Sequence, residues 1–282
     1  MAEAEDTARR SLAHWSEDRR AGMDAFYRLA TEDYRHLAEA VDWRAWLEAR
    51  QAAAGDRPMW LIDVACGSGK FPAALRRHAG VEQARVRPIA YSLLDPSTFS
   101  LAEARSALGA PFEADEGHES TLEGLDPDVG AFDIAWATHA LYAVPQASLD
   151  AAMARFLDLI GLNGAGFIAN AMADSHYIRF YDAFLDAFHE GRGERYRTAE
   201  EIVAALDRLG AKVETREIAY AQTAGDDATV EGYLQRCAFD DTVSLERMRA
   251  TEPVASYLAG CRDEAGGWRF EQRVALIFIP SY

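Results

Sequence analysis

One stretch limits what this chain can fold into more than any other. Residues 61–71 read LIDVACGSGKF. An apolar strand runs through Asp63 into a turn of small residues, Ala65, Cys66, Gly67, Ser68 and Gly69, and a helix begins directly after it. Glycines at such a turn supply backbone angles closed to other residues and let the chain approach a ligand closely. This strand–turn–helix unit opens an α/β sheet, and ligands bind at its turn. Two nucleotide motifs fail here. A phosphate-binding GxxxxGK[ST] loop would need a Gly at position 64 and a hydroxyl after Lys70, where Phe71 stands. A dinucleotide GxGxxG would need a third Gly where Pro72 stands.

Strand and helix patterns alternate from there. Strands are expected at 60–65, 87–94, 112–114, 132–138, 166–171, 211–220 and 268–279. Helices are expected at 72–78, 99–108, 149–160 and 199–209. The alternation implies a Rossmann-like, doubly wound α/β fold whose seven-stranded sheet is mostly parallel and covered on both faces. The final strand follows a long helical excursion and is expected to insert antiparallel. Residues 5–50 read as helices, with Phe26, Tyr27, Leu29, Ala30 and Tyr34 at helical spacing, and 51–58 reads as a linker. The whole, 1–282, is expected to be one domain. Its segments 1–57, 172–197 and 227–264 would form a helical lid over the strand C-termini.

Charge and cysteines narrow the partners. The 29 Lys and Arg against 46 Asp and Glu leave a net charge of −17. So acidic a surface repels phosphate backbones and anionic lipid, which argues against a nucleic-acid or membrane partner and suits neutral or cationic small molecules. No apolar run is long enough to span a bilayer, and the first residues hold no signal-peptide core, so a cytoplasmic location is expected. Cys66, Cys237 and Cys261 are odd in number and far apart, so neither a disulfide framework nor a metal site is expected.

The strand ends carry the candidate chemistry. Asp95, with Pro96 and Ser97, closes the second strand. A carboxylate there can accept hydrogen bonds from both ribose hydroxyls of a nucleoside; an Asp before Pro also suits a plain turn. The third strand leads through Asp115 and Glu116 to Ser120 and Thr121, which by themselves read as a solvated acidic loop. The fourth ends at Thr138 and His139, with Tyr142 just beyond. His139 reads either as a weak base or as a structural hydrogen-bonder. No GxSxG elbow exists, so a hydrolase triad is not supported.

The sequence Asp63-x-Ala65-x-Gly67-x-Gly69 resembles motif I of class I S-adenosylmethionine (SAM) methyltransferases, with Ala65 in the first glycine position. The order of the chain from about Tyr27 to Ile279 is similar to the histamine N-methyltransferase family. The carriers are Ala30-Thr31-Glu32-Asp33-Tyr34, Asp95-Pro96-Ser97, His139-Ala140-Leu141-Tyr142, the stretch 233–240 and the ending 270–279. The resemblance implies SAM as cofactor, held by Asp63, Ala65, Gly67, Gly69, Asp95, Pro96, Ser97, Ser120, Thr121 and Thr138. It implies a small-molecule acceptor methylated at an amine or imidazole nitrogen. Glu32 matches a carboxylate that contacts the substrate amine, His139 replaces a Gln, and Gln272 falls near an Asn. Tyr27 and Tyr177 complete the substrate candidates, and His139 and Tyr142 are the catalytic ones. The same fold also hosts O- and C-methyltransferases and SAM-dependent cyclases. A nicotinamide oxidoreductase is the further alternative.

Overall fold

The computed structural model describes residues 4–15, 18, 20–83, 85–126 and 131–280. The chain's start at Met1 lies outside the described residues. Seven strands form a single sheet: β1 (Met59–Val64), β2 (Ile89–Leu94), β3 (Phe112–His118), β4 (Phe132–Thr138), β5 (Ile160–Ala171), β6 (Glu214–Ala224) and β7 (Trp268–Ile279). Their spatial order is 3-2-1-4-5-7-6. β1 to β5 pair in parallel, and β7 inserts antiparallel between β5 and β6. This bears out the expected fold class. It also departs from the 3-2-1-4-5-6 order of the dinucleotide-binding sheet.

Two apolar layers sandwich the sheet. Helices α1 (Ala4–His14), α2 (Arg20–Glu39), α3 (Trp43–Ala54), α4 (Lys70–His78) and α5 (Thr98–Ala107) precede β3. On one face Trp43 of α3 and Phe71 of α4 pack edge-on against Trp136 of β4, sealed by Leu37, Leu47 and Leu61. On the other, α6 (Leu149–Asp158) and α8 (Ala199–Arg208) bury Met153, Phe156, Ile202 and Leu206 against Ile62, Val64 and Ile277. Thr198 and Glu201 close a capping box at the start of α8, so that helix begins where local chemistry dictates.

A third cluster lies over the C-terminal ends of the strands. It joins α7 (His176–Phe188), α9 (Asp227–Cys237), α10 (Leu245–Ala250) and α11 (Val254–Ala259) to Leu29 of α2 and to Trp268 and Phe270 of β7. The long β6–β7 pair supports it, because its far end rises beyond the rest of the sheet. α1 is tied down on this layer: Thr7 Oγ1 donates to the Glu194 carbonyl at 2.9 Å, and Tyr181 Oη to Thr7 Oγ1 at 3.0 Å.

Two expectations are corrected. α3, within the span assigned to the lid, covers a face of the sheet, because Trp43 and Leu47 are fully buried in the sheet's own core. The expected linker is helical through Ala54. Gln51 holds it there by accepting from the Arg87 N–H and donating to the Arg87 carbonyl, both at 2.8 Å. Two satisfied hydrogen bonds from a buried amide outweigh the weak local signal.

Candidate functional site

A deep cavity opens where the sheet's C-terminal edge meets the helical layer. Its floor is the turn after β1. Ala65 and Gly67 both take φ near +51°, and the Cys66 N–H donates to the Leu94 carbonyl at 3.0 Å, drawing the turn onto the tip of β2. The Gly67 N–H donates to Asp95 Oδ2 at 3.0 Å and the Ser97 N–H to Asp95 Oδ1 at 2.9 Å. Asp95 is 7% exposed, and burial raises its carboxyl to about 6. Each of its oxygens therefore retains acceptor capacity towards the cavity.

Ala65, Gly67, Asp95, Pro96, Ser97, Ser120, Thr121 and Thr138 all line this cavity. Ser97 is also tied into the protein: its hydroxyl accepts from the Ser100 N–H at 3.1 Å and donates to the Trp15 carbonyl at 2.5 Å. Asp63 and Gly69 lie outside the lining. Strand alternation sends Asp63 to the same face as Met59 and Leu61. There it accepts from Tyr91 Oη at 2.6 Å, and Trp136 Nε1 donates to that phenol at 3.2 Å. Burial pushes the Asp63 carboxyl up to about 7. Gly69 serves packing. A Cβ there would stand 3.0 Å from Ala104 Cα and 3.1 Å from Ala104 O, so the glycine lets α4 press against α5.

Much of the remaining wall is aromatic. Tyr27, Tyr34, His139, Tyr142 and Tyr177 line it with Phe26 and Trp15. His139 takes φ +53° at the end of β4, and its N–H donates to the Ala169 carbonyl at 2.8 Å. Its Nδ1 lies 2.6 Å from Tyr142 Oη, while its Nε2 is buried without a hydrogen-bond partner. Burial depresses this imidazole to about 4, so it is neutral at pH 7.

The substrate-side candidates rearrange. Glu32 points away from the cavity, half-exposed in an ion pair with Arg35 at 2.6 Å. On the same helix, the carboxylate that lines the cavity is its neighbour, Asp33, which is 2% exposed. On α2, residues 26, 30, 33, 34 and 37 share one stripe, whereas Glu32 lies on the outer stripe with Arg35 and Glu39. That spacing separates Asp33 from Glu32 in the sequence but does not say which of the two stripes meets the cavity. Asp33 Oδ1 accepts from Tyr220 Oη at 2.6 Å and Gln222 Nε2 at 2.8 Å; its Oδ2 accepts from Tyr177 Oη at 2.5 Å. Desolvation nevertheless raises this carboxyl to about 7. Gln272 is one layer behind. Its Nε2 donates to Gln222 Oε1 at 3.0 Å and its Oε1 accepts from Ser175 Oγ at 2.5 Å, so it supports the amide that holds Asp33.

The sequence reading also passed over Arg236 and Cys237, which enter the lining from α9. Arg236 donates to the His14 carbonyl at the end of α1 and lies over the Trp15 ring. It joins the two helices that close the cavity. All three cysteines are free and buried, and burial pushes the Cys66 and Cys237 thiols up. No metal-binding group of three or more side chains, and no helix long and apolar enough to cross a membrane, occurs among the described residues.

No family model matches the chain, and no curated protein matches it in sequence. Solved structures resemble it in fold. The magnesium protoporphyrin IX methyltransferase of Synechocystis, solved with bound S-adenosylhomocysteine (SAH), superposes with a TM-score of 0.52 at 11% identity, over 96% of this chain and 99% of that one. The plantazolicin methyltransferase BpumL, in complex with SAH, does so with a TM-score of 0.50 at 11% identity, over 100% of this chain and 98% of that one. The fold is that of class I SAM-dependent methyltransferases. A Bacillus halodurans protein aligns at a TM-score of 0.53 and 14% identity, over 84% of this chain and 98% of that one. This likeness is of the class I fold as a whole; the narrower resemblance to histamine N-methyltransferases receives no support from it.

Proposed function

We propose that this chain is a SAM-dependent methyltransferase that acts on the nitrogen of a small amine or imidazole. The observation that carries the reading is Asp95. It is a buried carboxylate at the tip of β2, held by the Gly67 and Ser97 amides, with acceptor capacity facing a cavity in a class I fold. These residues fit an adenosyl cofactor. Asp95 would accept from the ribose hydroxyls, the Ala65–Gly67 backbone would lie bare beside the ligand, and Ser120 and Thr121 stand at the adenine end. When bound, SAM supplies an electrophilic methyl group on a sulfonium.

The protein's own work is then to bind, orient and keep water out. Tyr34 and Tyr177 line the acceptor side, where aromatic rings attract a cation, while Tyr27 lies over the glycine turn with Lys70 Nζ 4.5 Å from its ring centre. Asp33 Oδ2 accepts an N–H of the acceptor, and with a carboxyl near pH 7 it can take the proton that an ammonium must lose before its nitrogen becomes nucleophilic. From an ammonium that transfer leaves a neutral nitrogen nucleophile, whereas a phenol would become a buried anion, so the site suits an amine better.

Thermal unfolding with ligands tests this. SAM and SAH, each at about 100 times its dissociation constant, are expected to stabilise the protein by roughly 2.7 kcal/mol, with no effect of NAD. Absence of any shift with SAM and SAH at millimolar concentration overturns the reading. Methyl transfer to a panel of amines, imidazoles and phenols then identifies the acceptor, and turnover of phenols alone would remove the nitrogen assignment.

A further inference from the structure

The hydrogen bonds around His139 determine what its free edge can do. Tyr142 Oη has one hydrogen to give and two lone pairs. The Ala171 N–H donates to it at 3.3 Å, so one lone pair is occupied. Its other hydrogen-bonding neighbour among the described residues is His139 Nδ1, at 2.6 Å. If Tyr142 donates to Nδ1, the phenol hydrogen, the phenol oxygen and Nδ1 are all satisfied. If Nδ1 instead carried the proton, the phenol hydrogen and the Nε2 lone pair would both lack a protein partner, against the Nε2–H alone in the first arrangement, and each further unsatisfied group is costly in a buried site. In the neutral imidazole the proton must then reside on Nε2. That atom is buried, has no protein partner, and belongs to a residue that lines the cavity.

We propose that Tyr142 locks His139 in the Nε2–H tautomer, so that His139 offers the acceptor molecule a hydrogen-bond donor and does not take a proton from it. This deepens the methyltransferase reading and rests on it for the identity of the bound molecule. Two consequences follow for the acceptor. The lone pair that receives the methyl group cannot also accept a hydrogen bond, so the atom facing His139 is a second lone-pair atom: a ring nitrogen, a carbonyl or an ether oxygen. The proton leaving the nucleophilic nitrogen goes to Asp33, whose Oδ2 accepts from Tyr177 alone and retains a lone pair. The acceptor class is therefore an amine or N–H heterocycle that carries a further hydrogen-bond acceptor. Tyr142 is a positioning residue in this arrangement.

Long-range proton–nitrogen correlation spectra of ¹⁵N-histidine-labelled protein at pH 7 read the tautomer directly, and His139→Gln assigns the signal by its loss. The expected result is a protonated, pyrrole-type Nε2 and an unprotonated, pyridine-type Nδ1 in the wild type. In Tyr142→Phe the lock is removed, and both nitrogens should move towards the averaged positions of a mixed population. A wild-type spectrum with the proton on Nδ1, or a Tyr142→Phe spectrum identical to wild type, overturns the proposal. The wild-type spectrum decides the tautomer even if the variant fails to fold. Failure of the methyltransferase reading is separate: it appears as absent stabilisation by SAM and leaves this spectrum unchanged.

Discussion

Asp33 and Asp95 are buried carboxylates with different surroundings, and single substitutions separate their roles. Asp95 accepts two backbone N–H groups and faces the cavity. A charge-assisted hydrogen bond to a ribose hydroxyl contributes about 1.5–3 kcal/mol. Asp95→Ala is therefore expected to weaken SAM binding by about ten- to a hundredfold in isothermal titration. Unchanged affinity would return Asp95 to a turn residue. Asp33 is tested by pH. Burial raises its carboxyl from 3.8 to about 7, against hydrogen bonds from Tyr177, Tyr220 and Gln222 and with repulsion from Glu32 adding to the rise. Between those two values the unfolded chain has released the proton and the folded protein has kept it. Stability therefore falls as pH rises through this window, by at most about 1.4 kcal/mol per pH unit. His139 and His176, held neutral at about 4 and about 3 by burial, act in the opposite sense below pH 6.5. The comparison must therefore be variant against wild type. Asp33→Asn should gain stability relative to wild type from pH 4 to 7 and level off above, by urea unfolding; parallel curves would place the Asp33 carboxyl at its ordinary value. Glu32→Gln is the control. It breaks a half-exposed ion pair and removes the smallest of the influences on the Asp33 carboxyl, so a change below about 1 kcal/mol is expected.

At the scale of elements, the turn after β1 and the start of α4 combine two different uses of a small residue. Gly69 and Gly80 flank α4, with φ of +69° and +62°. A side chain costs about 1–2 kcal/mol at either from the left-handed backbone alone. A Cβ on Gly80 would meet nothing beyond its chain neighbours within 4 Å, whereas one on Gly69 meets the Ala104 backbone at 3.0 Å. Gly69→Ala should therefore destabilise clearly more than Gly80→Ala in chemical denaturation. Equal losses would show that α4 and α5 can part at no cost. Ala65 already takes φ +51°, so Ala65→Gly should stabilise by up to about 1 kcal/mol, the strain relieved being partly offset by greater freedom of the unfolded chain. The residues of this turn were legible in sequence because a strand, two glycines and a helix meet there within a few positions. The role of α3 was not. Its amphipathic pattern is the same whether Trp43 packs on the sheet or on other helices, and only the position of Phe71, Trp136 and Phe167 decides between them.

For the molecule as a whole, the charge of −17 acts on stability as well as on partners. Like charges on a compact surface repel, and the Debye length falls from about 30 Å at 0.01 M salt to about 8 Å at 0.15 M. The thermal midpoint is expected to rise over that range; a fall would mean that surface ion pairs such as Arg208–Asp150 and Arg273–Asp174 outweigh the net repulsion. The sequence by itself determined the strand and helix succession, the late antiparallel strand and the glycine turn, because those depend on residue spacing within one element. It also marked the tips of β2, β3 and β4, where residues 95–97, 120, 121, 138 and 139 meet the cavity. Only the tertiary structure decided which side chains face it. Asp63 turns into the core because β1 alternates and Tyr91 and Trp136 wait on that face. Asp33 displaces Glu32 because α2 presents the 26–30–33–34 stripe inward and donors from α7 and β6, more than a hundred residues away, converge on its carboxylate. Arg236 and Cys237 arrive from α9 for the same reason. Burial, hydrogen-bond partners and the protonation they impose belong to the packed molecule, and those properties make a carboxylate or an imidazole part of a site.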